Sequence, residues 1–329
     1  MSKTINIMKN IIKSSGRKPR IVFAEGDNAY ILQAVQEIKN DIEPILIFKT
    51  KKDIPANCEF KTIAIDSIDL SKYANLLVEL RKQKGMTLEQ ANKLVRCSNY
   101  LASLIVKCNE ADGEICGIDY TTADTLRPAL QILKTAPGAK IVSSVFILEK
   151  NDDISVFSDC AININPDAQS LANMTEMACD FVKNVLGINK PKAALLSYST
   201  CGSGNGDDVD KVRQAFELTK QNPNNTHYDI FGEMQFDAAY DNRVRAKKAK
   251  TCTWTTKPDI FMFPNINAGN IGCKIAQRMG GYDAFGPILV GLAAPVNDLS
   301  RGATVKDIIG VAYITAAQIV SKKIKQNFR

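Results

Sequence analysis

Residues 193–220, AALLSYSTCGSGNGDDVDKVRQAFELTK, contain the pattern that decides the fold. A short apolar run leads into a glycine-rich loop, and the loop opens onto an acidic helix start. A strand, a tight loop and a helix in this order make one βα unit, the building block of a parallel sheet covered by helices. The stretch therefore predicts an α/β protein.

The same alternation extends in both directions along the chain. Apolar runs bounded by Pro, Gly, Asp or Asn are typical of buried parallel strands, which we predict over 20–24, 44–48, 141–148, 193–198, 228–231 and 259–263. Amphipathic patterns predict helices over 29–39, 88–108, 123–134, 166–186, 208–220, 237–248 and 305–324. Pro166 is expected at the first helical position. At 329 residues the chain is long enough for two domains, with crossing points expected at Pro137-Gly138 and at 295–298.

Charge and apolar patterning exclude several classes of protein. The 42 Lys and Arg against 35 Asp and Glu give a net charge of +7, which suits anionic small molecules. The densest basic stretch, 243–250, has no interleaved aromatics and is interpreted as the solvated end of a helix. The longest nearly apolar run, 285–296, contains two prolines, so no spanning helix is expected, and the first 20 residues lack the apolar core of a secretory signal.

Histidine and cysteine usage restricts the chemistry further. His227 is the single histidine, which disfavours Ser-His-Asp, Cys-His and H-E-x-x-H mechanisms together. The nine cysteines are odd in number and contain no C-x-x-C pair, so we expect free thiols in a reducing cytoplasm and no metal site. Proton transfer must then use a carboxylate, Lys, Tyr or Cys.

The glycine cluster 202–206 does not have the spacing of a P-loop or of a dinucleotide-binding loop. Its position between a strand and a helix leaves two interpretations open. It is either a flexible turn or a loop whose exposed amides and hydroxyls contact a ligand.

Three arginines stand near predicted helix ends or loops, where a guanidinium group can bind phosphate with two hydrogen bonds. They are Arg81, Arg127 in a hydroxyl-rich helix start, and Arg301 after Ser300. Asp307 fits two roles. In Thr304-Val305-Lys306-Asp307 it is either a capping residue for the last helix or a base that accepts a proton from a nucleophile. Cys160 is expected to be a small buried side chain rather than an acyl carrier.

At these residues the sequence resembles the phosphate acetyltransferase (phosphotransacetylase) family along nearly its whole length. The stretches that carry the resemblance are 158–163 with 165–169, 199–203, 232–239, 263–265 with 268–272, and 295–302. The sequence departs from the family at Cys201, where Lys or Arg is frequent, and around 28–30. We expect those differences to affect coenzyme A affinity rather than the reaction.

The resemblance implies reversible acetyl transfer, in which acetyl-CoA and phosphate give acetyl phosphate and CoA. It implies two α/β domains with mostly parallel sheets, as in isocitrate and isopropylmalate dehydrogenases, and an active-site cleft between them. Domain 1 would take 1–140 plus 297–329, and domain 2, with the dimer interface, would take 141–296. Asp307 would activate the CoA thiol with Ser300 and Arg301 beside it. The substrate-binding residues would be Arg81, Thr122, Arg127, Cys160, Ser199, Thr200 and Asn270.

The resemblance also implies a cytoplasmic homodimer, functionally linked to acetate kinase, that has no tightly bound cofactor and uses CoA as substrate. Two enzymatic alternatives stay open: a phosphate butyryltransferase with a longer acyl pocket, and a decarboxylating dehydrogenase of related fold. The dehydrogenase would need a divalent metal and a nicotinamide. A nucleic-acid binder built on the basic face is a third alternative, but no nucleic-acid or membrane partner is expected.

Overall fold

The computed structural model describes residues 2–327, with side chains described throughout except at 224 and 322–327. The chain forms two compact units. The terminal unit contains Ile5–Pro137 and Leu292–Arg329, and the central unit contains Met1–Thr4 and Gly138–Gly291. Each unit has its own sheet.

The strands of both units are short and mostly buried. In the terminal unit they form a five-stranded parallel sheet in the order β11-β4-β1-β2-β3. In the central unit the order is β10-β5-β6-β9-β7-β8, in which β5 pairs antiparallel with β10 and β6 and the other pairs are parallel. In chain order the strands are β1 Arg20–Phe23, β2 Glu43–Phe48, β3 Lys61–Ala64, β4 Gly113–Cys116, β5 Ser143–Lys150, β6 Asp153–Ser158, β7 Lys192–Leu196, β8 Asp229–Met234, β9 Ile260–Met262, β10 Asp283–Val290 and β11 Val296–Asp298.

Helices connect the strands in both units, as a βα alternation requires. Short 3₁₀ turns occur at Lys51–Asp53, Lys82–Lys84 and Pro223–His227, and a π turn at Ala129–Leu133. The α-helices are α1 Lys3–Ser14, α2 Ala29–Ile38, α3 Ser71–Arg81, α4 Leu88–Leu94, α5 Ser98–Lys107, α6 Thr122–Pro128, α7 Ala168–Val185, α8 Asp207–Gln221, α9 Phe236–Tyr240, α10 Asn242–Lys248, α11 Ile266–Arg278 and α12 Val305–Asn327.

The α/β class predicted from the sequence is confirmed, but the central sheet is mixed rather than mostly parallel. The reason is a tight hairpin. Lys150 on β5 pairs directly with Asp153 on β6, and Asn151 adopts a left-handed backbone with φ of 55° to make the turn. A turn of this kind joins antiparallel neighbours, whereas parallel strands need a long crossover.

The first crossing between the units lies at the expected Pro137-Gly138 turn, whereas the second does not lie at 295–298 as expected. The chain crosses after Pro137 and after Gly291, and not after 140 and 296. Residues 295–298 are not a turn, because most of them form β11, which pairs with β4. The first residues of the chain were expected in domain 1 but belong to the central unit. There the Glu149 carboxylate accepts the backbone N–H groups of Lys3 at 2.6 Å and Thr4 at 3.1 Å.

Three local predictions were also wrong. The pattern over 88–108 is two helices, α4 and α5, and the pattern over 237–248 is α9 and α10. Pro166 precedes α7 instead of opening it, because the Asp167 side chain accepts the Ser170 N–H at 2.7 Å and caps the helix. In the basic stretch 243–250, Lys247, Lys248 and Lys250 are exposed, as expected for the solvated end of a helix, whereas Arg245 is buried. It is 1% exposed, and its guanidinium group donates to the carbonyl oxygens of Ala239 at 2.6 Å and Thr256 at 2.8 Å.

Candidate active site

The sheet of the terminal unit has one point at which its strand order reverses. From β1 the chain moves outward through β2 and β3, and it then returns to β4 on the other side of β1. Loops that leave two such strands diverge at their carboxyl ends, and ligands of α/β proteins bind in the crevice there. Thr122, Ser300 and Arg301 all follow strands at this edge, the first after β4 and the other two after β11.

Asp298, the last residue of β11, joins two of these loops. Its side chain is buried, and its carboxylate oxygens accept hydrogen bonds from the hydroxyls of Thr122 at 2.6 Å and Thr125 at 2.9 Å. Burial raises the pKa of Asp298 and outweighs the two hydroxyl bonds, which lower it. The hydroxyl of Thr122 is therefore bound to the protein, where it ties the start of α6 to the end of β11.

Gly117 allows the same two loops to touch. Its φ is +115°, and a Cβ at this position would stand 2.1 Å from an Asp298 carboxylate oxygen and 2.8 Å from the Leu299 nitrogen. Only glycine fits such a contact. The Leu299 N–H also donates to the Cys116 carbonyl at 2.7 Å, so the backbone immediately before the predicted Ser-Arg pair is held in place.

Ser300 and Arg301 lie in an exposed turn between β11 and α12. The Ser300 carbonyl accepts the Ala303 N–H at 2.8 Å, and the Ser300 hydroxyl oxygen accepts the Gly302 N–H at 3.4 Å. Within the described part of the chain, Arg301 has no ion pair or hydrogen bond. Its guanidinium group can therefore bind two oxygens of an anion without first breaking an internal contact.

Asp307 lies in the first turn of α12 and forms the capping box that the sequence left open. Its Oδ2 atom accepts the Thr304 N–H at 2.9 Å and the Thr304 hydroxyl at 2.8 Å, while its own N–H donates to the Thr304 hydroxyl oxygen at 3.3 Å. Among the residues described, Oδ1 makes no hydrogen bond. One carboxylate oxygen is thus used by the helix and the other is available to a ligand.

The charges of Arg81 and Arg127 both act on Tyr100. Burial raises the pKa of Tyr100, and the positive charges of Arg127 and Arg81 lower it. Arg127 is exposed and pairs with Asp124 at 3.1 Å, whereas the Nε atom of Arg81 is buried without a hydrogen-bond partner in the part of the chain that is described. Arg81 therefore has a donor that could bind a ligand.

In the central unit, Cys160 follows β6 and belongs to the apolar core, where it is fully buried. A hydrogen bond with Cys273 and burial raise the pKa of its thiol well above the usual range. The thiol therefore stays protonated, as expected for a packing residue. Its carbonyl accepts the side-chain N–H of the predicted site residue Asn270 at 3.0 Å, and Asn270 itself is exposed.

The loop from Ser199 to Gly206 is held by a buried carboxylate on β8. Glu233 accepts the Ser199 hydroxyl at 2.7 Å and the Gly202 N–H at 2.9 Å, and it pairs with Arg213 of α8 at 3.1 Å. Arg213 also donates to the Gly204 carbonyl at 2.8 Å. The loop is thus rigid and not a flexible turn.

Most amides of this loop are already bound within the protein, which leaves fewer of them for a ligand than one interpretation of the sequence supposed. The N–H of Thr200 donates to the Ser203 hydroxyl, that of Gly204 to the Ser199 hydroxyl, and that of Cys201 to the Glu233 carbonyl. The predicted site residues Ser199 and Thr200 are both buried, and their hydroxyls hold the loop together. What the loop offers to a ligand is its shape and its exposed side chains.

No group of three or more His, Cys, Asp or Glu side chains is placed to hold a metal ion in residues 2–327. In the same part of the chain, no helix is long and apolar enough to cross a membrane.

Sequence reasoning missed several residues that organise the site. Tyr100 and Arg213 gave no local signal, because their partners are distant in sequence, whereas Glu233 lay inside the stretch 232–239 and was not singled out. Asp298 lay inside the quoted stretch 295–302, and Glu25 follows the apolar run of β1 directly, so a carboxylate after a buried strand was a signal that could have been used.

Comparisons with known proteins agree over nearly the whole chain. A family model described as Phosphate acetyl/butaryl transferase matches residues 5–316. A phosphate acetyltransferase of Mycoplasma genitalium is 48% identical over 320 residues, which cover 96% of this chain and 99% of that protein. A phosphotransacetylase structure from Streptococcus pyogenes has a TM-score of 0.89 at 40% identity, with 97% and 99% covered. A branched-chain phosphotransacylase from Enterococcus faecalis V583 shares the fold, with a TM-score of 0.72 at 19% identity and 92% and 99% covered.

Proposed function

The chain belongs to the Phosphate acetyl/butaryl transferase family and acts in phosphate acetyl transfer, and we propose a route in which coenzyme A attacks acetyl phosphate directly. The resemblance inferred from the motifs is confirmed. The observation that supports the route best is the placement of Asp307 one turn into α12, with one carboxylate oxygen bound in the cap and the other without a protein partner in the described residues.

In the proposed step, Asp307 Oδ1 accepts the thiol proton of CoA as the sulfur attacks. A thiol has a pKa near ~8.5 and is mostly protonated at neutral pH, so a carboxylate at the right place is sufficient. The carbon–sulfur bond forms, the carbon–oxygen bond to phosphate breaks, and the electron pair leaves with the phosphate. The proton on Asp307 then returns to phosphate or solvent, and no acyl-enzyme forms.

The arginines supply the charge stabilisation. Arg301, with Ser300 beside it, binds the phosphoryl oxygens and stabilises the leaving phosphate. Its freedom from internal ion pairs in the described part of the chain supports this role. Loss of such a donor costs on the order of 10²–10³ in rate. Arg81 and Arg127 supply two further positive charges for the phosphate groups of CoA or of acetyl phosphate.

The remaining predicted residues contribute to substrate binding less directly. Thr122 ties two loops together through Asp298. Cys160 and Asn270 support each other through their hydrogen bond, and Ser199 and Thr200 shape the loop before α8. The dehydrogenase-like arrangement of two domains stays part of the proposal and is tested by a crystal structure with bound CoA.

We further propose that the protein is a homodimer formed through the central unit. Ile271 and Ile275 on α11 and Met279 at its C-terminal cap are 60%, 52% and 85% exposed. Residues four apart lie on one helix face, so these make an apolar stripe. Beside it lies an apolar cavity of about 480 Å³ that includes Ile275 and Phe236. Light scattering of the wild type is expected to give twice the mass of one chain, and the Ile275→Asp variant is expected to have the mass of one chain. A monomeric wild type contradicts the proposal.

We also propose a cellular setting for the protein. All nine cysteines are free, which suits a reducing cytoplasm. Acetyl phosphate made by this reaction would supply acetate kinase. CoA is bound only as a substrate, and we propose that no cofactor is held tightly.

A thiol-release assay with acetyl-CoA tests the proposed function. Free CoA is expected to appear only when phosphate is added, without a nicotinamide and equally in the presence of EDTA. Release that does not depend on phosphate would indicate hydrolysis and contradict the proposal. Comparing acetyl-CoA with butyryl-CoA measures the acyl preference, which we expect to favour acetyl.

A further inference from the structure

A carboxyl group at the strand reversal of the terminal sheet has no part in the route above. We propose that Glu25 is a positioning residue for acetyl transfer, which fastens the loop after β4 to the end of β1 and thereby sets the loop that carries Ser300 and Arg301. The inference rests on the proposed function, because it assigns a use to that loop.

Glu25 is buried in spite of its charge. It follows β1 by two residues and is 4% exposed. Its Oε1 atom accepts the backbone N–H groups of Gly117 and Asp119, each at 3.0 Å. Its Oε2 atom is buried and has no hydrogen-bond partner among the described residues. Burying a carboxyl oxygen without a hydrogen-bond partner costs free energy, so packing alone does not account for this side chain.

The two hydrogen bonds reach the predicted catalytic loop in one further step. Gly117 lies against Asp298 and Leu299 so closely that a Cβ would not fit. Leu299 immediately precedes Ser300 and Arg301 in the chain. A displacement of Gly117 therefore displaces Asp298 and Leu299 as well, because the three residues are in close van der Waals contact.

The titratable groups that interact electrostatically with Glu25 are all acidic. They are Glu114 and Cys116 on β4, Asp119 and Tyr120 in the loop after β4, and Asp298 on β11. Asp27, two residues after Glu25, is paired with Lys49 of the loop after β2 at 3.8 Å.

Burial is the largest cause that raises the pKa of Glu25 to about 7, against the two backbone hydrogen bonds that lower it. Near neutral pH the group therefore gains a charge that repels both Asp298 and an incoming phosphate. Glu25 accepts the two N–H groups in both forms, and the charge that it gains on ionisation weakens phosphate binding.

The test is the KM for phosphate, measured from pH 6 to pH 8.5 in the wild type and in Glu25→Gln. The amide oxygen of Gln can accept the same two N–H groups but does not ionise. We expect the ratio of the wild-type KM to the variant KM to rise roughly 3- to 10-fold over this range, as one added charge near the anion predicts. Taking the ratio cancels the ionisation of phosphate itself, and kcat is expected to change less than KM.

Two controls separate this role from a general effect of carboxylates. Glu79→Gln removes an exposed carboxylate from α3 and is expected to follow the wild type at every pH. Glu114→Gln removes a buried carboxylate that contacts Ser103 and not the loop, and is expected to keep the rise in KM. If Glu114→Gln abolishes the rise as Glu25→Gln does, the inference is wrong.

If Glu25→Gln does not fold, Asp119→Asn gives the same test from the exposed side of the loop. The Asp119 charge raises the pKa of Glu25, so its removal is expected to shift the midpoint of the KM rise to lower pH. An active wild type whose KM ratio does not change with pH, or an Asp119→Asn variant with an unmoved midpoint, overturns this inference alone. A wild type without phosphate-dependent thiol release overturns the proposed function, and the inference with it.

Discussion

Glu114 allows the fold of the terminal unit to be tested through its stability against pH. The side chain on β4 is completely buried, and its Oε2 atom accepts the Ser103 hydroxyl at 2.7 Å. Its Oε1 atom has no hydrogen-bond partner among the described residues. Burial is the main cause that raises the pKa of Glu114 from 4.5 to about 8.

The sign of the effect follows from which state binds the proton. Between pH 4.5 and about 8 the folded protein keeps Glu114 protonated, while the unfolded chain releases the proton. The folded state binds more protons, so the free energy of unfolding falls as pH rises through this window and is flat above it. One proton corresponds to about 1.4 kcal/mol per pH unit, or about 3 kcal/mol between pH 5.5 and pH 7.5.

The variant Glu114→Gln is expected to remove this part of the pH dependence. Its absolute stability can move either way, because the amide brings its own buried donors, so the readout is the slope. Urea unfolding followed by circular dichroism at several pH values gives that slope for the wild type, for Glu114→Gln and for the exposed control Glu79→Gln. Hydrogen exchange of peptides that contain β4 assigns the change to the terminal unit.

The stability difference between Glu114→Gln and the wild type should grow by about 3 kcal/mol from pH 5.5 to pH 7.5. Glu79→Gln should stay parallel to the wild type. Parallel lines for Glu114→Gln as well would mean that Glu114 is ionised in the folded state, and the reasoning from burial would be refuted.

Two further variants test the central unit by thermal unfolding and turnover. A Cβ at Gly269 would stand 2.2 Å from the Asp159 carbonyl oxygen, so Gly269→Ala should lower the free energy of unfolding by about 2 kcal/mol or more. The control Gly272→Ala on the same helix meets only a side chain at 3.1 Å and should change the free energy of unfolding by less than about 1 kcal/mol. Equal effects of the two variants would contradict the contact. Glu233→Gln leaves Arg213 without its buried carboxylate, so the free energy of unfolding should fall by about 2–4 kcal/mol. The variant should also raise the KM for CoA more than it lowers kcat. An unchanged KM would show that the loop is not part of the site.

The sequence predicted the long elements because their patterns are local. α7 contains enough residues to show a period, and β1, with only four residues, could be predicted because 21–24 is an unbroken apolar run. β3, β4 and β11 have four, four and three residues, which is too few for a period to appear. β11 follows Pro295 and contains Asn297 and Asp298, which are typical turn residues, and only its pairing with β4 makes it a strand.

The residues of the site that share one local motif could be predicted from the sequence, and the long-range contacts that hold them could not. Ser300, Arg301 and Asp307 stand in one short stretch, so motif and spacing could point to them together. The contacts that hold this stretch could not be predicted, since Glu25 reaches Gly117 across 92 residues. Hydrogen bonds of that range depend on strand order, and the sequence gives strand order only once the short strands are known.

The rate of phosphate-dependent CoA release by Asp307→Asn tests the central claim most directly. The Asn oxygen can still accept the Thr304 N–H, so the variant should unfold at the wild-type midpoint. Without a carboxylate to take the thiol proton, its turnover should fall by about 10²-fold or more. Thr304→Ala is the matched control: it weakens the cap by about 1 kcal/mol, keeps the carboxylate and should keep its turnover. A folded Asp307→Asn protein with near-normal turnover would show that Asp307 only caps α12, and the proposed route would be wrong.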